Sequence, residues 1–184
     1  MLSLHRAALV VVDLQEKLLP AIHDRERILE NSLLLLHLSR ISGLPVVLTT
    51  QYRKGLGDIV PEILAAAPGV EPVDKVSFGC FESEGFLSRL ERLPGRDQLV
   101  VAGIEGHICV TQTVLGALEK GYEVHVASDA VGSRLPSNRE VGLRRMEKSG
   151  AVISSAEMAV YELLGRSDGA AFKQMLPYLK GVTR

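Results

Sequence analysis

The chain lacks most of the features that would send a protein to an unusual environment. It has two cysteines in 184 residues, Cys80 and Cys109, too few for the disulfide framework of a small secreted scaffold. Without an export signal both are expected as free thiols. Its apolar runs are short. Ala7 to Val12 ends at Asp13, below the length of a signal-peptide core with a cleavage site. Leu33 to Leu36 is interrupted by His37, far from the roughly 20 apolar residues of a membrane span. Cytoplasmic residence without a membrane partner is therefore expected. The formal net charge is -1 and no basic cluster stands out, so nothing calls for a nucleic-acid partner. The five histidines are scattered, and no His/Cys/Asp grouping has zinc-site spacing, so no metal is expected. "GIEG" does not complete G-x-G-x-x-G and no Walker loop is present, so a nucleotide cofactor is not expected either.

What remains is an ordinary globular composition, 46% hydrophobic, in one domain spanning residues 1–184. Short runs rich in valine and leucine alternate with longer segments of helical period. The runs "AALVVVD", "LPVVLTTQ", "VEPVDK", "QLVVAG", "YEVHVASD" and "AVIS" read as six strands. Between them a helix from Arg25 to Ser42 stops at Gly43 before Pro45. Further helices are expected in "DIVPEILAAA", "SEGFLSRLERL", "HICVTQTVLGALEKG", "SNREVGLRRMEKSG", "SAEMAVYELLG" and "GAAFKQMLPYLK". Strand-helix alternation with continuous apolar strands implies an α/β fold, its mostly parallel sheet covered on both faces. In such sheets ligands bind beyond the carboxyl ends of the strands.

Those ends carry Asp13 after the first strand, Gln51 and Tyr52 after the second, Lys75 after the third, and "GIEGHIC" after the fourth. Taken singly, Asp13 reads as a loop cap, Lys75 as a surface lysine, and Cys109 as a buried small hydrophobe. Taken together, a carboxylate, an ammonium and a thiol converge on one rim. A cysteine in the first turn of a helix, with Lys75 nearby, is expected to favour thiolate. Asp13 is then needed as a proton acceptor. Gly103 and Gly106 permit a tight bend that aims amide N–H groups at a developing oxyanion. A Cys-His dyad with His107 is unattractive, since residues two apart at a helix start do not face each other. A Ser77–Lys75 pair is similarly poor in geometry.

This constellation resembles the isochorismatase-like cysteine hydrolases, a group that includes nicotinamidases. The resemblance runs from "ALVVVDLQEKLLPAI" through "TTQYRKGLGDIVPEI" and "DKVSFGCFES" to "VVAGIEGHICVTQTVLGALEKGYEVHVASDAVGSR". It implies a three-layer α/β/α sandwich around a parallel six-stranded sheet, and a triad of Asp13, Lys75 and Cys109. It also implies a cis peptide between Ile104 and Glu105, and an oxyanion hole formed by the amides of Glu105 and Cys109. The reaction implied is attack on an amide-like carbonyl and hydrolysis of the resulting thioester. Nicotinamidases carry an Asp-x-His metal motif where this chain has "TTQYRKG", which argues against a metal and against nicotinamide. Isochorismatases proper lack the nucleophile at the position of Cys109. The combination looks most like isochorismatase-domain proteins whose substrates are unassigned.

Phe78 and Phe81, with Tyr52, are expected to line a small, partly apolar pocket, and Gln51 and His107 to offer polar contacts to a small-molecule substrate. Core anchoring is an equal alternative for the two phenylalanines. Cys80 reads as a bystander. Relatives are commonly oligomeric, so a homo-oligomer is expected. Two other functions stay open at this point: a non-catalytic binding or scaffold protein, and a redox-active thiol protein with Cys80 as resolving partner.

Overall fold

A computed structural model describes residues 1–181 of the chain. Six strands form one sheet: β1 (Ala7–Val12), β2 (Val46–Gln51), β3 (Val73–Lys75), β4 (Gln98–Ile104), β5 (Glu123–Gly132) and β6 (Val152–Ser154). Their order is β3-β2-β1-β4-β5-β6, and every neighbouring pair is parallel. Parallel strands need crossovers, and each contains a helix: α1 (Arg25–Ser42), α2 (Arg53–Leu56) with α3 (Pro61–Ala66), α4 (Glu84–Glu91), α5 (Thr111–Glu119) and α6 (Pro136–Lys148); α7 (Ala156–Leu164) and α8 (Ala170–Gly181) follow β6.

The continuous apolar runs are explained by burial on both faces. Every residue of β1 and β4 is buried. Ala7, Leu9 and Val11 point to a core shared with α1, α3, α7 and α8. Ala8, Val10 and Val12 point to a second core shared with α4, α5 and α6. The expected three-layer α/β/α sandwich is thus the observed one, with its parallel sheet in the middle.

The chain leaves β1 toward β2 and β3, and leaves β4 toward β5 and β6, so the strand order reverses between β1 and β4. A crevice opens at the carboxyl ends of strands at such a point. The two strands approach very closely there. Gly103 pairs with Val12 at φ +116°, and a Cβ on Gly103 would lie 2.1 Å from the Val12 carbonyl oxygen. Only glycine allows this contact immediately below Asp13.

Three local features differ from the sequence-based expectation. The helix expected from His107 begins instead as a single π-helical turn, Gly106–Val110, and becomes α-helical at Thr111. β5 runs on to Gly132, past a register shift against β4 between Val101 and Gly103. The short α2 follows β2 where no helix is among those expected.

Candidate active site

Asp13 leaves β1 in the left-handed region, φ 53°, and is wholly buried. A carboxylate there needs partners, because a buried unpaired charge is prohibitively costly. Both its oxygens have them. Thr49 Oγ1, on β2, donates to Oδ1 at 2.7 Å, and Lys75 Nζ, at the end of β3, donates to Oδ2 at 2.8 Å. The Asp13–Lys75 ion pair has no side-chain exposure on either partner. Lys75 Nζ also donates to Gln51 Oε1 at 2.9 Å and to the carbonyls of Phe78 and Ser77 at 3.2 and 3.3 Å. The three ammonium protons therefore meet four acceptors, so the buried group is fully partnered.

Cys109 faces the same carboxylate from the π turn, its thiol within reach of the Asp13 and Lys75 charges. Of the three residues Cys109 is the most exposed, at 7%, against 3% for Lys75 and 0% for Asp13. The turn that presents it is tied down at several points. The peptide between Ile104 and Glu105 is cis. The Glu105 carbonyl accepts from the amides of Ile108 and Val110 at 3.0 and 3.1 Å, and neither bond uses the Cys109 amide. Thr111 Oγ1 donates to the Gly106 carbonyl at 2.6 Å, and Thr113 Oγ1 to the Cys109 carbonyl at 2.7 Å. The Glu105 carboxylate accepts from the Arg134 amide at 3.1 Å and pairs with its guanidinium.

Electrostatics at the thiol run opposite to the expectation from a helix start. Burial, and then the Asp13 charge, push the Cys109 thiol up to about 12, with Lys75 opposing. The resting group is a neutral thiol beside a carboxylate. The reason is burial, which sequence spacing does not reveal: desolvation of the thiolate outweighs both the turn and the ammonium.

The remaining expected site residues divide. Tyr52 (φ 42°) and Phe78 are about half exposed near the end of Lys75, and the Tyr52 amide donates to the Lys75 carbonyl at 2.8 Å. Phe81 is turned into the second core, edge-on to Phe86 and Tyr122, and packs close to Gly116 of α5. Gln51 is buried, its amide between Lys75 and the Val76 carbonyl. His107 lies on the α6 side of the turn, with Nδ1 3.0 Å from Ser133 Oγ and Nε2 3.4 Å from Asn138 Nδ2.

Sequence reasoning passed over Thr49, Gln15 and the position of Cys80. Thr49 and Gln15 are both fully buried. A polar residue within an apolar strand, two places before the strand end, is the signal that marks Thr49. Cys80 is also buried beside the site: its amide donates to Thr113 Oγ1 at 3.1 Å, the hydroxyl that in turn donates to the Cys109 carbonyl. Desolvation holds the Cys80 thiol at about 11. Among the described residues no group of three or more His, Cys, Asp or Glu side chains is placed to hold a metal ion.

This arrangement matches known proteins along nearly its whole length. The Isochorismatase domain model matches residues 7–158. The chain is 36% identical over 179 residues to the secreted isochorismatase effector Isc1 of Phytophthora sojae (strain P6497), covering 96% of this chain and 85% of the relative. Among solved structures it is similar to the MAR1 ribonuclease from Caenorhabditis elegans, with TM-score 0.91, 33% identity and 97% and 92% of the two chains covered. It is similar to YcaC from Pseudomonas aeruginosa with hexane-2,5-diol and covalent acrylamide, with TM-score 0.91, 29% identity and 98% and 93% covered. It is also similar to the Escherichia coli YcaC gene product, described as an octameric hydrolase of unknown specificity, with TM-score 0.88, 28% identity and 99% and 94% covered.

Proposed function

The chain belongs to the isochorismatase domain family, and within that family we propose that it is a metal-independent cysteine hydrolase. Its substrate is a small amide-like molecule whose C–N bond is cleaved through a thioester on Cys109. The observation that carries this reading is the fully buried Asp13 carboxylate, its two oxygens fixed by Thr49 and Lys75, with the Cys109 thiol close enough to feel its charge.

In the proposed reaction Asp13 takes the thiol proton as sulfur attacks the carbonyl carbon, so no free thiolate need accumulate beforehand. The amides of Glu105 and Cys109 stabilise the oxyanion. Collapse of the tetrahedral intermediate breaks the C–N bond, and Asp13 returns its proton to the departing amine. Asp13 then accepts a proton from water, which attacks the thioester, and the acid product leaves with the thiol restored. Lys75 stays charged throughout and lowers the cost of negative charge as it moves between oxygen and sulfur. Covalent acrylamide on the Pseudomonas aeruginosa YcaC supports a nucleophilic residue in this fold. Tyr52, Phe78 and His107 are the side chains offered for substrate contact.

The ribonuclease name of the Caenorhabditis elegans relative belongs to that protein. For this chain a net charge of -1 and an enclosed acid-ammonium pair favour a small substrate over a polyanion. The test is incubation with a panel of small amides and an RNA oligonucleotide. Hydrolysis of an amide, lost in Cys109→Ala and accompanied by an acyl mass gain on the Cys109 peptide but not the Cys80 peptide, is the expected result. Amide turnover surviving Cys109→Ala, or RNA as the sole substrate, would sink the proposal.

Three further properties belong to the same reading. The octameric Escherichia coli relative supports a homo-oligomer, measurable by light scattering. Residues 1–184 are read as one domain. Two free thiols suit the reducing cytoplasm, although the Phytophthora sojae relative is named as secreted. Among the described residues no helix is long and apolar enough to cross a membrane.

A further inference from the structure

We propose that Gln51 is a positioning residue for the Asp13–Lys75 pair: a neutral acceptor that holds the ammonium in place without competing for its charge. The inference rests on the roles proposed above for Asp13 and Lys75, and it gives Gln51 a role in the pair itself rather than only as a polar contact for substrate.

All four polar groups of Gln51 are engaged inside the protein. The side-chain Oε1 accepts from Lys75 Nζ at 2.9 Å, and Nε2 donates to the Val76 carbonyl at 2.9 Å. The backbone N–H donates to Gln15 Oε1 at 2.7 Å, and the backbone carbonyl accepts from Gln15 Nε2 at 3.1 Å. Gln15 also donates to the Gly57 carbonyl at 2.8 Å, so a fully buried side chain clamps the end of β2 from both sides. The amide orientation is unambiguous on chemical grounds. Lys75 can only donate and the Val76 carbonyl can only accept, so a flipped amide would face donor with donor and acceptor with acceptor.

A glutamate would reach the same two neighbours, yet nothing else about it would be equivalent. Of the four acceptors around Lys75 only Asp13 bears charge. A second carboxylate at position 51 would share the single cation and repel the Val76 carbonyl. It would also raise the proton affinity of every acidic group facing the ammonium. Those groups are Asp13 at the end of β1, Cys109 in the π turn and Cys80 in the segment after β3. A neutral amide keeps the Lys75 charge for Asp13 and, once the proton has moved, for the Cys109 sulfur.

The test uses iodoacetamide as a probe of the Cys109 thiol in Gln51→Glu and Gln51→Met, following intact mass from pH 7 to pH 10 and normalising to the folded fraction by circular dichroism. Gln51→Glu is expected to slow alkylation of Cys109 about three- to fourfold throughout this range, the thiolate fraction falling about tenfold for one pKa unit and the accompanying gain in nucleophilicity returning part of it. Gln51→Met, which lets the ammonium drift from its place, is expected to slow it severalfold. Folded variants that both alkylate within twofold of the wild type at every pH would overturn the proposal. That outcome would return Gln51 to a purely structural or substrate-contacting role, and a raised KM would identify the latter. Because the probe reads the thiol and not turnover, hydrolysis persisting in Cys109→Ala would refute the proposed reaction and leave this result standing.

Discussion

Replacing Asp13 with asparagine separates two properties that a thiol hydrolase normally loses together, the supply of thiolate and the ability to turn over. In the folded protein the Asp13 carboxylate opposes the thiolate by its charge, second only to burial. A unit charge about 4 Å from a thiolate at an effective dielectric near 20 contributes about 4 kcal/mol, equivalent to roughly three pKa units. Asparagine removes that charge and leaves the Lys75 ammonium held by Gln51 and the carbonyls of Phe78 and Ser77. The alkylation midpoint of Cys109 should therefore fall from about 12 by up to roughly three units. Intrinsic nucleophilicity falls with thiol pKa at a Brønsted slope of about 0.4–0.5, so the net gain at pH 8 is roughly 30- to 60-fold in alkylation rate. Hydrolysis should move the other way, falling about 100- to 10,000-fold with loss of the proton acceptor. Iodoacetamide kinetics by intact mass and turnover on the best substrate of the amide panel measure the two arms side by side. An unchanged or raised alkylation midpoint would refute the electrostatic argument, and retained turnover would refute Asp13 as the base.

Lys75→Met strands a buried carboxylate and should abolish turnover while costing about 3–5 kcal/mol of stability; combining it with Asp13→Asn should recover part of that loss in urea unfolding, and strict additivity would argue against the pair. Phe81→Ala opens a cavity in the second core and should cost about 3–5 kcal/mol, whereas Phe78→Ala, half exposed, should stay within about 0.5 kcal/mol and act on KM; equal stabilities would contradict the assignment of one ring to core and one to rim. Gly103→Ala places a methyl group against the Val12 backbone and should cost about 3 kcal/mol or more, which a wild-type unfolding midpoint would exclude. Stability should also decline in alkali: unfolded thiols ionise near 8.5, while folded Cys80 and Cys109 hold their protons to about 11 and about 12. The contribution is fully present below about pH 8.5 and is lost as pH rises, by up to about 1.4 kcal/mol per pH unit for each thiol. Urea midpoints at pH 7.5, 9 and 10 test this, a flat profile counts against it, and Cys80→Ala should halve the slope.

The strands are legible in the sequence because parallel strands buried on both faces must be continuous apolar runs, as in "ALVVV" and "QLVVAG". Reading the residues that end those runs brings Asp13, Lys75 and Cys109 to one rim, where the structure also brings them together. Side-chain direction after a strand is less legible. Phe78 and Phe81 stand three residues apart in an irregular segment with no period to assign faces, and one turns outward while the other enters the core. Gln51 looks like a free polar group at a strand end, and only the three-dimensional path of Gln15 and Val76 reveals that each of its polar groups already has a partner inside the protein. The sign of the Cys109 shift was illegible for a related reason: spacing records that a helical turn begins there, and burial depends on everything packed above it.

The strand order also sets a timetable for the nascent chain. β1 lies between β2 and β4, so one of its edges stays unpaired until residues 98–104 leave the ribosome, roughly 85 residues after β1 itself. At about 5–20 residues per second that is several seconds of synthesis, during which an apolar, hydrogen-bond-hungry edge is open to other chains. The same delay separates Asp13 from the thiol it is placed to deprotonate. Closing the β1–β4 seam covers the β1 edge and brings Asp13 beside the turn that carries the thiol, so one pairing event both protects the strand and assembles the site.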